Sequence, residues 1–102
     1  MAKSNRSKAC DIPPKVKLAV YERDKGLCVV CGRQGIPNAH YIPRSLGGLG
    51  IEENIVTMCL ECHREYDQGH KRREIGEIVM AYLDKHYPGF PDEKRIYNRW
   101  VK

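Results

Sequence analysis

Two closely spaced pairs of cysteines constrain this chain more than any other feature of its sequence. Cys28 and Cys31 form one C-x-x-C, Cys59 and Cys62 form another, and 27 residues lie between the pairs. The two-residue spacing lets both sulfurs of a pair face one ion, and four thiolates suit tetrahedral Zn²⁺. A site filled by four thiolates has no open position for water, so the predicted zinc is structural.

A metal would also compensate for a small core. The chain has 102 residues, the size of one domain, with 41% hydrophobic residues and only one Phe and one Trp. Domains this small bury a limited fraction of their surface and often need a staple. We therefore expect zinc to join the start of the domain to its end.

The alternatives to zinc are a pair of redox-active dithiols, or a site in which His63 replaces Cys62 as the fourth ligand. No thioredoxin-like βαβ pattern surrounds either pair, and His63 has a better use than as a ligand of this zinc. No apolar stretch near the N-terminus suits a signal peptide, and no run approaches the roughly 20 apolar residues of a membrane span. We therefore expect a cytoplasmic protein with reduced thiols, in which the isolated Cys10 is free.

The positive charge favours a polyanionic partner. The formal net charge is +5, which favours binding to phosphates through counterion release but is weak support by itself. Residues 1–11 are predicted to be a flexible basic arm, or equally a solvated end without a role. Several basic residues would contact backbone phosphates rather than bases, or are ordinary charges on solvated helix faces: Lys71, Arg72 and Arg73, with Lys94, Arg95 and Arg99 further on.

Local patterns predict a mixture of helices and two strands. Helices are expected at about Pro14–Asp24, at Leu60 to about Gln68 and from about residue 73, the last closed by Pro88 and Gly89. Residues 38–43 look extended, 44–53 form a glycine-rich loop, and 54–58 form a second strand. A final short helix would carry Ile96, Tyr97, Trp100 and Val101.

Between and just beyond the cysteine pairs lie His40, Asn54 and His63, and here the sequence resembles the HNH endonucleases. The resemblance covers about residues 16–68, and its compact four-cysteine form looks like the small HNH proteins of phages and prophages. The matching segments are Arg23-Asp24, Cys28-x-x-Cys31-Gly32, 39–45 (Ala-His-Tyr-Ile-Pro-Arg-Ser), Gly47-Gly48, Asn54-Ile55-Val56 and Cys59-x-x-Cys62-His63.

The resemblance implies an α+β fold with a ββα-metal core. The core would span about 16–68 within a single nuclease domain of residues 12–102, with flanking helices and a C-terminal helical extension at about 73–101. The implied activity is metal-dependent hydrolysis of DNA phosphodiester bonds. The implied partner is DNA, bound mainly through its phosphate backbone.

In this family the three motif residues have distinct roles. His40 would be the general base that activates water, and Asn54 would fasten the loop between the strands. His63 would bind the catalytic divalent ion, Mg²⁺, Mn²⁺ or similar. Asp67 lies four residues after His63 on the same helix face and could be a second ligand, or an ordinary solvated acid. Arg44 could hold a phosphate, or be a solvated loop arginine.

One position departs from the family pattern. Most members carry Asp, Glu or His immediately before the base, as a metal ligand, whereas this chain has Ala39. Either His63, Asp67, water and DNA phosphates hold the ion alone, or Asn38 or a glutamate substitutes, or the enzyme is weak or inactive. The alternative function is a non-catalytic zinc module that binds nucleic acid or protein.

The resemblance also bears on where the protein would work. It implies a phage or prophage protein acting in the cytoplasm of a bacterial host, with no membrane partner. Phage packaging proteins are candidate partners, and a monomer is the favoured state. A monomer has one active site and is expected to nick one strand at a time.

Overall fold

The fold is a two-stranded antiparallel hairpin surrounded by helices. The structure is a computed structural model that describes residues 4–98. No helix in that part of the chain is long and apolar enough to cross a membrane. The elements in chain order are α1 (Asn5–Cys10), α2 (Pro14–Asp24), β1 (Ile36–His40), β2 (Ile55–Met58), α3 (Leu60–Gln68) and α4 (Arg72–His86), with 3-10 turns at Arg44–Leu46 and Asp92–Arg95.

The hairpin carries one irregularity. Ile36 pairs with Met58 and Ala39 pairs with Val56, so three steps along β1 match only two along β2. This places a β-bulge at Pro37–Asn38. Pro37 has no backbone N–H to donate to a ladder, which suits a position where regular pairing is interrupted.

The core lies around β2 and one face of α4. All four residues of β2 are buried, Ala39 of β1 has no exposed surface, and Val79 and Leu83 of α4 are also fully buried. Tyr66 of α3 is buried against the same cluster. The amphipathic pattern of α4 therefore forms the core contact that the spacing of its apolar residues predicted.

The fold class and the central elements predicted from the sequence are confirmed. Helix α2 has the expected bounds and stops at Lys25 and Gly26, which both have a positive φ. Helix α3 also has the expected bounds, and β2 begins one residue later than predicted. Strand β1 covers residues 36–40 rather than 38–43.

The two ends of the domain differ from the predictions. Residues 5–10 form a helix rather than an irregular arm: Ser4 caps it, and the side chain of Cys10 is buried in the domain. Helix α4 ends at His86, in agreement with the predicted stop at Pro88 and Gly89, but Ile96 is extended and bridged to Gly48. The predicted helix that would carry Ile96 and Tyr97 is therefore wrong, because pairing with the distant Gly48 holds Ile96 extended. Trp100 and Val101, which were predicted to belong to the same helix, lie outside the described residues.

A buried ion pair at the end of α2 also forms hydrogen bonds that connect this helix to β2. Asp24 accepts from Arg23 Nε at 2.7 Å and from the backbone N–H of Thr57 at 2.8 Å, and Tyr82 Oη also donates to it. Arg23 in turn donates to the carbonyls of Glu52, at 2.8 Å, and of Ile55, at 2.7 Å. These contacts fix the backbone on both sides of position 54.

Candidate active site and metal centre

The four paired cysteines lie together at one end of the hairpin. The Sγ atoms of Cys28, Cys31, Cys59 and Cys62 all lie within 4.8 Å of one another, and Cys31 Sγ and Cys59 Sγ are 3.6 Å apart. Tetrahedral zinc with bonds of about 2.3 Å would separate its sulfurs by about 3.8 Å. The four thiols therefore fit a single metal ion.

Local electrostatics favour the thiolate at Cys28 and oppose it at Cys31 and Cys62. Burial would raise the pKa of Cys28, but backbone N–H groups of Cys59, Cys31 and Val30 lower it to about 7. The pKa of Cys62 is raised, first by burial and then by the neighbouring thiols. Four thiolates this close repel one another, so a divalent cation is the natural counter-charge.

His40, at the end of β1, is fixed by a backbone carbonyl from α1. Its Nε2 lies 2.8 Å from the carbonyl oxygen of Cys10. A carbonyl can only accept, so Nε2 carries the proton and the lone pair of the neutral ring is on Nδ1. The only ring nitrogen of His40 left to act as a base is therefore Nδ1.

The surroundings of His40 keep it neutral. Burial lowers its pKa, and the positive charge of Arg44 adds to that effect, while the hydrogen bond to Cys10 acts in the opposite direction. The net shift is below the ordinary value of 6.5. At neutral pH the imidazole is therefore unprotonated on one nitrogen, as a general base must be.

Asn54 lies under the loop between the strands and has no exposed surface. Its Oδ1 accepts from the N–H of Ile42 at 2.9 Å, and its Nδ2 donates to the carbonyls of Leu49 at 2.9 Å and Ile42 at 3.2 Å. Its own carbonyl accepts from the N–H of Tyr41 at 2.7 Å. The side chain ties the segment directly after His40 to the far side of the loop.

His63 and Asp67 face His40 across a cleft. On α3 the Nε2 of His63 lies 3.1 Å from Oδ2 of Asp67. Two adjacent ligands of an octahedral ion with bonds of about 2.1 Å would lie about 3.0 Å apart. The cleft is lined by Asn38, His40, Pro43, Arg44, Ser45, Leu46, His63, Asp67, Gln68 and Arg72.

The residue before His40 does not line this cleft. Ala39 belongs to the hydrophobic core cluster and has no exposed surface. Asn38, one residue earlier, does line the cleft, and its Oδ1 is buried without a hydrogen-bond partner in residues 4–98. The donor set facing the cleft thus includes imidazole, carboxylate and carboxamide groups, which fits a divalent ion such as Mg²⁺ or Mn²⁺.

The predicted phosphate-binding residues do not form one surface. Arg72 lines the cleft, whereas the largely exposed Arg73 lines an adjoining groove and Lys71 lies on the side of the cysteines. Arg44 lines the cleft but already donates to Cys10 O at 2.8 Å and pairs with Asp11 at 3.0 Å.

Arg95 is not available to DNA. It is buried and donates to the carbonyl of Glu53 at 2.6 Å. The prediction that Arg95 contacts phosphate is wrong, because its guanidinium satisfies backbone carbonyls inside the domain. Arg99 lies outside the described residues.

Sequence reasoning missed the Cys10 carbonyl, whereas it named Asn38 as one possible substitute for the ligand that Ala39 lacks. A backbone carbonyl has no residue signature, and nothing local predicts that α1 reaches His40. Arg23 and Asp24 were part of the matching pattern, but the pattern assigned them no role. The adjacent opposite charges of Arg23 and Asp24 at the end of a predicted helix were the signal that could have indicated this buried ion pair.

Comparison with known proteins agrees with this architecture. The family model described as HNH endonuclease matches residues 28–69. The type IV methyl-directed restriction enzyme EcoKMcrA of Escherichia coli (strain K12) is 30% identical over 82 residues, covering 71% of this chain. The chain spans only 30% of that relative's length. The resemblance noted in the sequence is thereby confirmed over residues 28–69, which match the HNH endonuclease family.

Proposed function

We propose that this protein is a metal-dependent DNA endonuclease that hydrolyses phosphodiester bonds with His40 as the general base. The observation that carries the proposal is the Nε2 contact of His40 with the Cys10 carbonyl, 2.8 Å long. It leaves Nδ1 as a lone-pair nitrogen in a cleft that also holds His63 and Asp67.

In the proposed reaction His40 Nδ1 takes a proton from a water molecule. The water oxygen forms a bond to phosphorus, the bond from phosphorus to one sugar oxygen breaks, and that oxygen takes a proton from solvent. Asn54 holds the segment after His40, so that the ring stays in place during the transfer. Holding the base and the phosphate in reactive geometry can lower the activation barrier by several kcal/mol.

His63 and Asp67 are the proposed ligands of a divalent ion, Mg²⁺, Mn²⁺ or similar. Such an ion supplies charge relief for the phosphate and the departing oxygen. The cysteine cluster is proposed to hold a structural Zn²⁺, because four thiolates leave no open coordination position. This division gives the protein one structural and one catalytic metal.

DNA would be held mainly through its phosphates. Arg72 in the cleft and Arg73 in the adjoining groove are the best-placed cations, and Lys71 and Arg44 are secondary candidates. Arg44 would have to exchange its contact with Asp11 for a phosphate. Phosphate contacts carry little sequence information, so we expect low sequence specificity. We also expect the protein to act as a monomer that nicks one strand at a time. Its origin in a phage or prophage, its binding to phage packaging proteins and its action in the cytoplasm are further parts of this proposal.

The alternative is a zinc module that binds DNA or protein without cutting. The observation that favours it is Ala39, whose methyl side chain is buried in the core and offers no ligand where most family members have one. The two proposals differ in one measurement, which is plasmid cleavage in the presence of divalent ions.

The test uses zinc-loaded protein and supercoiled plasmid with Mg²⁺, Mn²⁺, Co²⁺ or Ni²⁺. We expect nicked product with at least one ion and a loss of about 100-fold or more in His40→Ala, as is usual when a general base is removed. His86→Ala is the matched control, because His86 is exposed near the end of α4 and should cut like the parent. DNA binding without cleavage under every ion would favour the alternative.

A further inference from the structure

Asn38 lines the cleft and carries an unexplained polar atom. Its Oδ1 is buried and has no hydrogen-bond partner within the described part of the chain. Leaving a buried acceptor unsatisfied costs about 1–3 kcal/mol, and such an atom in a folded protein often marks an ion or an ordered water. The question is therefore which group would bind this oxygen.

Strand alternation explains why Asn38 lies on the same side of β1 as His40. Side chains two residues apart in a strand point to the same face of the sheet. Ala39 is directed into the core, while Asn38 and His40 both line the cleft that contains His63 and Asp67.

We infer that Asn38 Oδ1 is a protein ligand of the divalent ion assigned above to His63 and Asp67, an inference that rests on the proposed function. A carboxamide oxygen is a hard neutral donor of the kind that Mg²⁺ and Ca²⁺ accept. Asn38 would thereby supply from β1 the ligand that Ala39 cannot supply. The ligand set would have one carboxylate and a net charge of −1, so the ion would bind weakly and keep several waters.

The test is isothermal titration of zinc-loaded protein with Mn²⁺. We expect Asn38→Ala to weaken binding of the second ion by about tenfold or more, in line with losses seen when groups around a metal are removed. Asn38→Asp should tighten binding, because it keeps the size of the side chain and adds a negative charge. The matched control is Gln68→Ala, which removes an exposed carboxamide from the same cleft and should bind Mn²⁺ like the parent.

Circular dichroism and zinc content show whether each variant is folded. If Asn38→Ala is unstable, Asn38→Asp still reports on the ion, because it is nearly isosteric. Parent-like Mn²⁺ affinity in Asn38→Asp would overturn the inference, whatever the behaviour of Asn38→Ala. If the parent cuts plasmid and these variants bind Mn²⁺ unchanged, only this inference fails; if the parent binds no second ion and cuts nothing, the proposed function fails with it.

Discussion

The Nε2 atom of His40 lies 2.8 Å from the carbonyl oxygen of Cys10, although 30 residues separate them in the chain. This contact makes the N-terminal helix part of the candidate active site. It fixes both the orientation of the imidazole and the nitrogen that is free to accept a proton. Arg44 donates to the same carbonyl oxygen at 2.8 Å and so also holds the end of α1.

Replacing Gly50 with alanine tests this hold on His40. A Cβ at position 50 would lie 1.9 Å from the carbonyl oxygen of Asp11, so the backbone after α1 has to move. Gly50 N also donates to Ala9 O at 3.0 Å, so the move would displace Cys10 too. We expect the plasmid nicking rate to fall about 100-fold, because a misplacement of about 1 Å can have that effect on a reaction.

Gly89→Ala is the control for strain alone. Gly89 has a φ of 75°, and no heavy atom lies within 4 Å of an added Cβ, so alanine strains the turn without displacing a neighbour. This variant should nick plasmid at the parent rate. Parent-like nicking by Gly50→Ala would show that the position of Cys10 does not govern His40.

Asn54→Ala should destabilise the protein as well as inactivate it. The substitution leaves the N–H of Ile42 and the carbonyl of Leu49 without their side-chain partner in a buried place. Each unsatisfied buried group costs about 1–3 kcal/mol, so we expect the free energy of unfolding to fall by about 3 kcal/mol. Urea unfolding of zinc-loaded protein measures it, and Gln34→Ala, which removes an exposed carboxamide, should change it little. An unchanged unfolding midpoint for Asn54→Ala would contradict the role of this network.

Asp24→Asn should reduce stability in a manner that depends on pH. Burial alone would raise the pKa of Asp24, but hydrogen bonds from Arg23, Tyr82 and Thr57 outweigh it and lower the pKa below 3.8. The carboxylate therefore contributes its full stability above the unfolded pKa and loses it as pH falls through the lower folded value. Removing one partner of a buried ion pair costs about 3–5 kcal/mol, so we expect the free energy of unfolding at pH 7 to fall by about 3 kcal/mol.

The measurement is urea unfolding of the parent and Asp24→Asn at a series of pH values from 7 downwards. The difference between the two proteins should be constant near neutrality and shrink in acid, while metal release affects both alike. A difference that grows with acidity would mean that Asp24 is not held ionised by Arg23.

Cys59→Ser should cost the protein its structural metal and with it the fold. The cluster joins β2 and α3 to the turn after α2, and Cys59 Sγ also accepts from the N–H of Cys62 at 3.4 Å at the start of α3. Structural zinc contributes about 10–16 kcal/mol in small zinc domains, more than such a domain can lose. We expect one zinc per chain in the parent by mass spectrometry of the metal content, and a largely unfolded variant by circular dichroism.

Cys10→Ser provides the matched comparison for zinc. Cys10 is buried but lies outside the cluster of four thiols, and serine keeps the backbone carbonyl that contacts His40. This variant should retain one zinc per chain. Loss of zinc in Cys10→Ser, or a metal-free parent of equal thermal stability, would remove the basis for a structural zinc site.

Much of the central fold could be predicted because its signals are local. The ends of α2 and α3 follow from Pro14, Gly26 and Gly69, and the β-branched run at residues 55–57 defines β2. The ends of the domain could not be predicted, because Asn5–Cys10 and Ile96 take their structure from contacts with the distant loop at residues 44–50. Arg95 was misjudged for the same reason, since charge in a sequence does not reveal burial.

The sequence by itself determined the four-cysteine cluster and the order of His40, Asn54 and His63, because ligand spacing and motif register are properties of the linear chain. Only the tertiary structure decided which nitrogen of His40 is free, because its partner is a backbone carbonyl from another helix. It also decided that Ala39 lies in the core while Asn38 lines the cleft, since the packing of β1 in the domain determines which of its two faces is covered. The residue types and their spacing identify the candidate site residues, whereas long-range hydrogen bonds and packing determine how the atoms of those residues are oriented.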